Sequence, residues 1–278
     1  MSVAIARPYV AAFSARFILM LQYRAAAIAG FATQCWWGAI KVMIYAAFYR
    51  GSSSVASLPI SLSQVITYTW LAQGFLALAP WTSDPDVALA VRTGAVSYDR
   101  LRPVDTYALW YARAAAWMTS RALPRAVLMF LLAGIVLPLL GLERWAWTLP
   151  PNAAQAALFI VSLALVVALA SAIVMVLNIA VIVTLNDRGV NYFLSPFTIV
   201  LSGNLIPLAL YPDWMHRLLF IQPFAGVVDI PFRIYSGNLH GQAAWAGIGL
   251  QIGWTIALVA GGRVWMERAM RRLEVQGG

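Results

Sequence analysis

The sequence predicts an all-α integral membrane protein with six transmembrane helices and both termini in the cytoplasm. An amphipathic surface helix precedes the first span, a short capped helix stands in the loop between spans two and three, and a re-entrant region precedes span six. Three observations carry this. Hydrophobic residues make up 62% of the 278-residue chain and charged residues 10%, with a mean hydropathy of +0.77. A soluble domain is about 45–50% apolar and about 25% charged, so one water-soluble core cannot hide this much apolar surface. The apolar residues also fall into long runs, and the arginines concentrate on alternate loops.

The elements follow in order. Residues 8–24 read as a surface helix, because Phe13, Phe17, Met20 and Leu21 recur at helical spacing on one face. Arg7, Arg16 and Arg24 interrupt this region, which excludes a cleavable signal core. A hydrocarbon layer of about 30 Å takes about 20 helical residues. Runs of adequate length lie at 25–49, 62–78, 122–140, 153–184, 192–208 and 243–264. In the loop after span two, Ser83 or Asp84 can cap a helix with Pro85 in its first turn, and Gly94 can end it. Asp105 can cap a long helix whose apolar part is span three. Residues 209–237 hold the apolar piece 218–230, too short to cross, with prolines at 212, 223 and 231. Such a piece folds back from one side of the membrane, covered by protein or water. Gly247, Gly249 and Gly253 give span six a small face for close packing, and Gly261 and Gly262 loosen its inner end.

Orientation comes from the arginines. With the N-terminus inside, the cytoplasmic side holds Arg7, Arg16, Arg24, Arg92, Arg100, Arg102, Arg113, Arg188, Arg263, Arg268, Arg271 and Arg272. The outer side holds Arg50, Arg144, Arg217 and Arg233. Lys41, the only lysine, can snorkel outward, and Arg121 and Arg125 inward. The net charge of +9 is therefore a membrane signal, with no dense basic run for nucleic acid.

Catalytic patterns are missing. There is no GxxxxGK[ST] loop for nucleotide phosphates, no HExxH and no GxSxG. His216 and His240 are too few for a zinc site, and Cys35 is the only cysteine. The expectation is a chain without a catalytic site, cofactor or metal of its own. Polar groups inside spans mark functional positions or interhelical hydrogen bonds: Gln34, Gln73, Asn178, Asn191 and Asn204. Tyr68 and Trp70 lie mid-span, two residues apart, so only one of them can face a pathway. A flat cation could stack on such a ring. Trp36 and Trp37 belong to that aromatic set too, whereas Trp81, Trp145, Trp147 and Trp214 read as interfacial belt residues. Asp229, the acid of the re-entrant stretch, either guides a cation at the exit or caps a half-helix. A carrier driven by an ion gradient would show a membrane-embedded acid in a span or an internal repeat, and the spans show neither. A membrane scaffold without transport stays open.

The stretches SGNLIPLALYPDW (202–214) and PFAGVVDIPFRIYSG (223–237) resemble the outer region of bacterial ABC-2-type transporter permeases, in particular the viologen exporter permease subunits. VRTGAVSYDRLRPVD (91–105) is similar to that group's loop between spans two and three; LQYRAAAIAGF (21–31) and the terminal VQGG also match, in the same order. The resemblance implies one transmembrane domain over 1–278, forming half of an exporter in the bacterial inner membrane. It implies a dimer with an identical or paralogous permease, and two copies of a separate ABC ATPase that holds ATP and magnesium. Cargo would be a hydrophobic or aromatic cation such as a viologen or dye, as in multidrug efflux; a lipid or glycan precursor would use the same architecture. The coupling helix would contact the ATPase through Asp84, Asp86, Val87, Leu89, Arg92, Arg100, Leu101, Arg102 and Pro103, with Val87, Leu89 and Leu101 packing. Substrate would pass between the two permeases along spans two and five, where Tyr68, Trp70, Gln73, Asn204 and Asp229 are the pathway candidates.

Overall fold

The computed structural model describes residues 2–51 and 57–272, and every regular element in them is helical. The terminal VQGG lies outside the described residues. Helix α1 (Ser2–Leu21) and α2 (Arg24–Gly51) meet at a break over Gln22 and Tyr23. α1 lies along α6 (Thr106–Leu131), turning inward the stripe Tyr9, Ala12, Phe13, Arg16, Phe17 and Met20. The expected apolar face is present, with Phe13 and Phe17 stacked at 5.8 Å. Leu21, expected beside them, is exposed at the break, and Arg16 sits in the middle of the stripe.

α3 (Leu62–Gly74) starts with a capping box in which Ser61 and Gln64 satisfy one another's backbone N–H groups. It ends after 13 residues, and a 3-10 turn at Leu76–Leu78 completes the stretch expected as span 62–78. Packing explains the break: Phe75 turns into an aromatic cluster with Phe130, Phe159 and Phe232, at ring separations of 5.7, 6.2 and 6.1 Å. Two short helices follow, α4 (Pro85–Thr93) and α5 (Val96–Leu101). Asp105 then caps α6, accepting from the Ala108 N–H at 2.5 Å. α6 runs through a π-helical turn at Leu132–Val136 into α7 (Leu137–Leu139). Pro138 cannot donate a helical hydrogen bond, and the widened turn absorbs the misfit. It also leaves the Ala133 carbonyl to accept from the Trp147 N–H at 3.0 Å.

α8 (Ala153–Thr184) is the axis of the bundle, packed by α12 (Gly241–Arg272), α6, α4, α9 (Asp187–Leu201) and α11 (Asp229–Tyr235). The most apolar window of α8 is 56% buried, against 22% for the Thr106–Leu139 and Gly241–Arg271 helices, so those two keep more of their surface for lipid or a partner. α9 stops at Leu201 instead of reaching residue 208. Gly203 takes φ +85°, a left-handed conformation that suits glycine, and the chain turns back there. α10 (Asp213–Ile221) and the segment Pro223–Tyr235, which contains α11, are bent by 78°. α11 is buried along its whole length, mainly against α8 and α3.

Thr106–Leu139, Ala153–Thr184 and Gly241–Arg271 are each long and apolar enough to cross a membrane, and the bent pair makes up to a fourth candidate. α2 has the length, with 28 residues, but Gln34 and Lys41 dilute its apolarity. α3 and α9, with 13 and 15 residues, are shorter than an ordinary crossing. The chain is thus a multi-pass, all-helical membrane protein.

Candidate functional site

The short helices α4 and α5 are held by one short stretch, Ser83–Asp84. The Asp84 carboxylate caps α4, accepting from the Asp86 N–H at 3.0 Å, with Pro85 in the first turn and Gly94 closing the helix at φ +74°. The same carboxylate receives Arg16 Nη2 of α1 at 2.7 Å. The Asp84 N–H donates to Asn178 Oδ1 of α8 at 2.8 Å, and the Ser83 N–H to Asn191 Oδ1 of α9 at 2.8 Å. Three helices from different parts of the chain thereby converge on two residues.

From there an alternating row of charges runs across the platform. Arg16 Nη1 lies 3.1 Å from Asp86 Oδ2, and Arg113 of α6 lies 3.4 Å from Asp86 and 3.8 Å from Asp99. Arg102 lies 3.6 Å from Asp99 Oδ1, and Trp110 Nε1 donates to Asp99 Oδ2 at 3.0 Å. α1, α4, α5 and α6 are tied into one unit by this row.

The residues expected at a partner contact divide into two groups. Asp84 is 1% exposed, and Val87 packs into the core with Trp110, Met175 and Met266. Neither can meet a partner; both build the platform, because the inner face of an amphipathic helix goes to the core. Asp86 is exposed but committed to Arg16 and Arg113. Leu89, Arg92, Leu101, Arg102 and Pro103 are exposed, Leu101 to 80%. Arg92 lies 3.7 Å from Asp187 at the start of α9. The Arg100 side chain lies outside the described residues. Tyr98 of α5, also exposed, adds an aromatic side chain to the exposed Leu89 and Leu101 of these two helices.

The other end of the bundle holds a second polar cluster. Asp229 is fully buried at the start of α11. Its Oδ1 accepts from the Leu208 N–H at 2.8 Å and lies 3.4 Å from the Tyr68 hydroxyl, which donates to the Gly203 carbonyl at 2.8 Å. Its Oδ2 pairs with Arg233 at 3.1 Å. Arg233 continues to His216 Nε2 at 3.1 Å and to Asn238 Oδ1 at 2.6 Å. The Asp229 N–H donates to the Ser202 carbonyl at 3.1 Å, closing the turn after α9 onto α11. Lys41 of α2 joins this end of the bundle. It donates to the Asn204 carbonyl at 2.6 Å and reaches Asn204 Oδ1 at 3.3 Å.

Tyr68, Asn204 and Asp229 are thus brought together around Gly203, as a buried clamp on the folded-back segment. Trp70 is not part of it: its Nε1 donates to the Trp145 carbonyl at 2.8 Å and its ring lies against Gly38. Gln73 is buried against the same glycine. Arg233, His216 and Lys41 are cluster members that the sequence reading did not assign to it. The spacing of Asp229 and Arg233, one helical turn apart, was the available signal. Among the described residues, no group of three or more His, Cys, Asp or Glu side chains is placed to hold a metal ion.

A comparison of the sequence with curated proteins finds no match. Against family models, residues 36–277 match the ABC-2 family transporter protein. That span takes in α4, α5, the whole polar clamp and all the candidate crossing helices. The chain therefore belongs to the ABC-2 family of transporter proteins, as a multi-pass permease component of the kind that works with an ABC ATPase.

Proposed function

We propose that this chain is half of the translocation pathway of an ATP-driven exporter in a bacterial inner membrane. α2, α3 with its 3-10 extension, α6–α7, α8, α9 and α12 are its six crossings, and both termini are cytoplasmic. The α4–α5 platform seats in a cleft of a separate ATPase subunit, which holds ATP and magnesium and performs the hydrolysis. Leu89, Tyr98 and Leu101 supply the packed centre of that contact, and Arg92, Arg102 and Pro103 its rim. Interfaces are commonly built with an apolar or aromatic core inside a polar border.

The single observation that carries this reading is the convergence on Ser83–Asp84. A load applied to α4 reaches α1 through Arg16, α8 through Asn178 and α9 through Asn191 without passing through flexible chain. Coupling needs such a contiguous, stiff connection between sites. A membrane scaffold has no need of one.

A second permease, identical or paralogous, completes the pathway. α9 is the surface to receive it, because Thr198 is its only buried residue while Tyr192, Phe193, Phe197 and Val200 are exposed. Substrate moves outward between the two halves along α9, because α3 is buried from Val65 to Gly74 within the chain's own bundle; the class proposed is a hydrophobic or aromatic cation. The buried clamp holds the outer segment in place beside that path. Co-expression with the ATPase subunit, purification in mild detergent and intact-mass measurement test the assembly. Two ATPase copies and two permease halves are expected, with hydrolysis stimulated by dicationic dyes. A chain that purifies without an ATPase rejects the reading.

A further inference from the structure

We infer that Arg121 and Arg125 form a binding site for the phosphate of an anionic phospholipid in the cytoplasmic leaflet. A cavity of about 250 Å3 opens where α1 breaks into α2, against the middle of α6. Tyr23, Ala27, Trp117, Ser120, Arg121 and Arg125 line it. The two arginines are four residues apart on α6 and so share one face.

Their charges are uncompensated. Arg16, Arg92, Arg102, Arg113 and Arg263 at this end of the bundle each have a carboxylate within 4.0 Å. Arg7, Arg188 and Arg268, which have none among the described residues, are exposed to water, whereas Arg121 and Arg125 are half-buried. Among the described residues Arg121 and Arg125 have none. Arg121 lies over the Trp117 ring at 4.8 Å. Arg125 is pressed onto α2 so closely that a Cβ on Gly30 would come within 2.6 Å of its guanidinium, and its Nε is buried without a hydrogen-bond partner. Two like charges, partly withdrawn from water and unpaired, are costly unless an anion joins them.

The position selects the anion. Arg121 immediately precedes the apolar run 122–140, and Arg125 lies one turn inside it. That is the depth of the phosphate layer in a helix that enters the membrane here. α6 continues with exposed Leu123, Val127 and Leu131, a surface for acyl chains. Guanidinium groups bind phosphate oxygens through paired N–H donors, and basic pockets between helices on the cytoplasmic side take lipid headgroups. The choice of leaflet rests on the orientation proposed above; the recognition of phosphate does not.

Native mass spectrometry of the full chain in mild detergent tests this, with dioleoyl phosphatidylglycerol, dioleoyl phosphatidylcholine and inorganic phosphate as probes. Phosphatidylglycerol is expected to be retained in preference to phosphatidylcholine. The Arg121→Gln/Arg125→Gln double variant should lower that preference by about tenfold or more, since charged hydrogen bonds are being removed. Arg144→Gln, at the opposite end of the bundle, should leave it unchanged. Equal retention of the two lipids, or an undiminished preference in the double variant, overturns the inference. Displacement of phosphatidylglycerol by inorganic phosphate assigns the cavity to a soluble anion and overturns it as well. If the double variant does not fold, a phosphatidylglycerol carrying a photoreactive headgroup is crosslinked to the unaltered chain. Adducts at residues 20–27 or 117–125 are expected, and adducts confined elsewhere count against the site. Neither assay involves an ATPase, so failure here leaves the permease reading standing, and the reverse.

Discussion

Arg16 and Asp84 are 68 residues apart in the chain and meet at 2.7 Å with almost no exposure to solvent. This contact pins α1 to the first turn of α4. Breaking a buried pair leaves a charge uncompensated, at a cost of about 3–5 kcal/mol. Arg16→Gln and Asp84→Asn should each lower the apparent thermal midpoint in detergent. The double variant should lose less than the sum, with an interaction energy of about 0.5–3 kcal/mol. Strict additivity would show that the pair does not act as a unit.

Leu89 and Leu101 stand at the surface of the α4–α5 platform. Leu89→Glu and Leu101→Glu should change stability by no more than about 0.5 kcal/mol, because both side chains are exposed and neither belongs to the row of ion pairs. They should nevertheless reduce ATPase retention and substrate-stimulated hydrolysis severalfold. Arg92→Ala should cost even less stability, since its pair with Asp187 is 3.7 Å long and open to water. Pull-down of the ATPase alongside a melting curve separates the two effects.

Asp229 is buried with Arg233 as its ionic partner, so Asp229→Ala leaves a guanidinium stranded and should cost about 3–5 kcal/mol. Tyr68→Phe removes one neutral hydrogen bond to the Gly203 carbonyl and should cost about 1 kcal/mol. Gly203→Ala meets two obstacles at once. The position has φ +85°, and the added Cβ would come 2.6 Å from the Tyr68 hydroxyl. A loss of about 1–3 kcal/mol is expected from strain alone. Thermal unfolding of the three variants should rank them with Asp229→Ala lowest and Tyr68→Phe highest.

The bundle's two ends give a direct test of orientation. In a Cys35→Ala background, Leu149→Cys should react with an impermeant maleimide applied outside cells, and Leu101→Cys only after lysis. Both residues are at least 80% exposed, so access to the side chain is not limiting. The reverse pattern would invert the charge-based topology.

Local chemistry was readable from the sequence where it acts within a few residues. The stop at Gly94 and the Asp105 cap are where the sequence puts them, and of the two caps it offers before Pro85, Ser83 or Asp84, the structure uses Asp84, because capping is a property of adjacent side chains. The apolar stripe of α1 was also legible from its spacing. Helix ends set by tertiary packing were not. α3 stops where Phe75 leaves for an aromatic cluster, and α9 stops where Gly203 folds the chain back under Asp229. The ion pair of Arg16 with Asp84 lay beyond periodicity as well, since no local rule joins residues so distant. A signal did exist: Arg16 falls on the apolar stripe between Phe13 and Met20, and a charge in that position requires an acidic partner. Asn178 and Asn191 were singled out as polar groups inside spans, and the structure shows them receiving the backbone N–H groups of Asp84 and Ser83. Both bonds join a helix, α8 or α9, to the loop and cap before α4 rather than to another helix.

The central claim is that the α4–α5 platform is where the ATPase acts. A photoreactive amino acid placed at position 101, with position 149 as the control on the opposite end, tests it most directly in cells co-expressing the ATPase subunit. The account predicts a permease–ATPase adduct from position 101 and none from position 149. An adduct from 149, or none from 101 while the two subunits still co-purify, would contradict it.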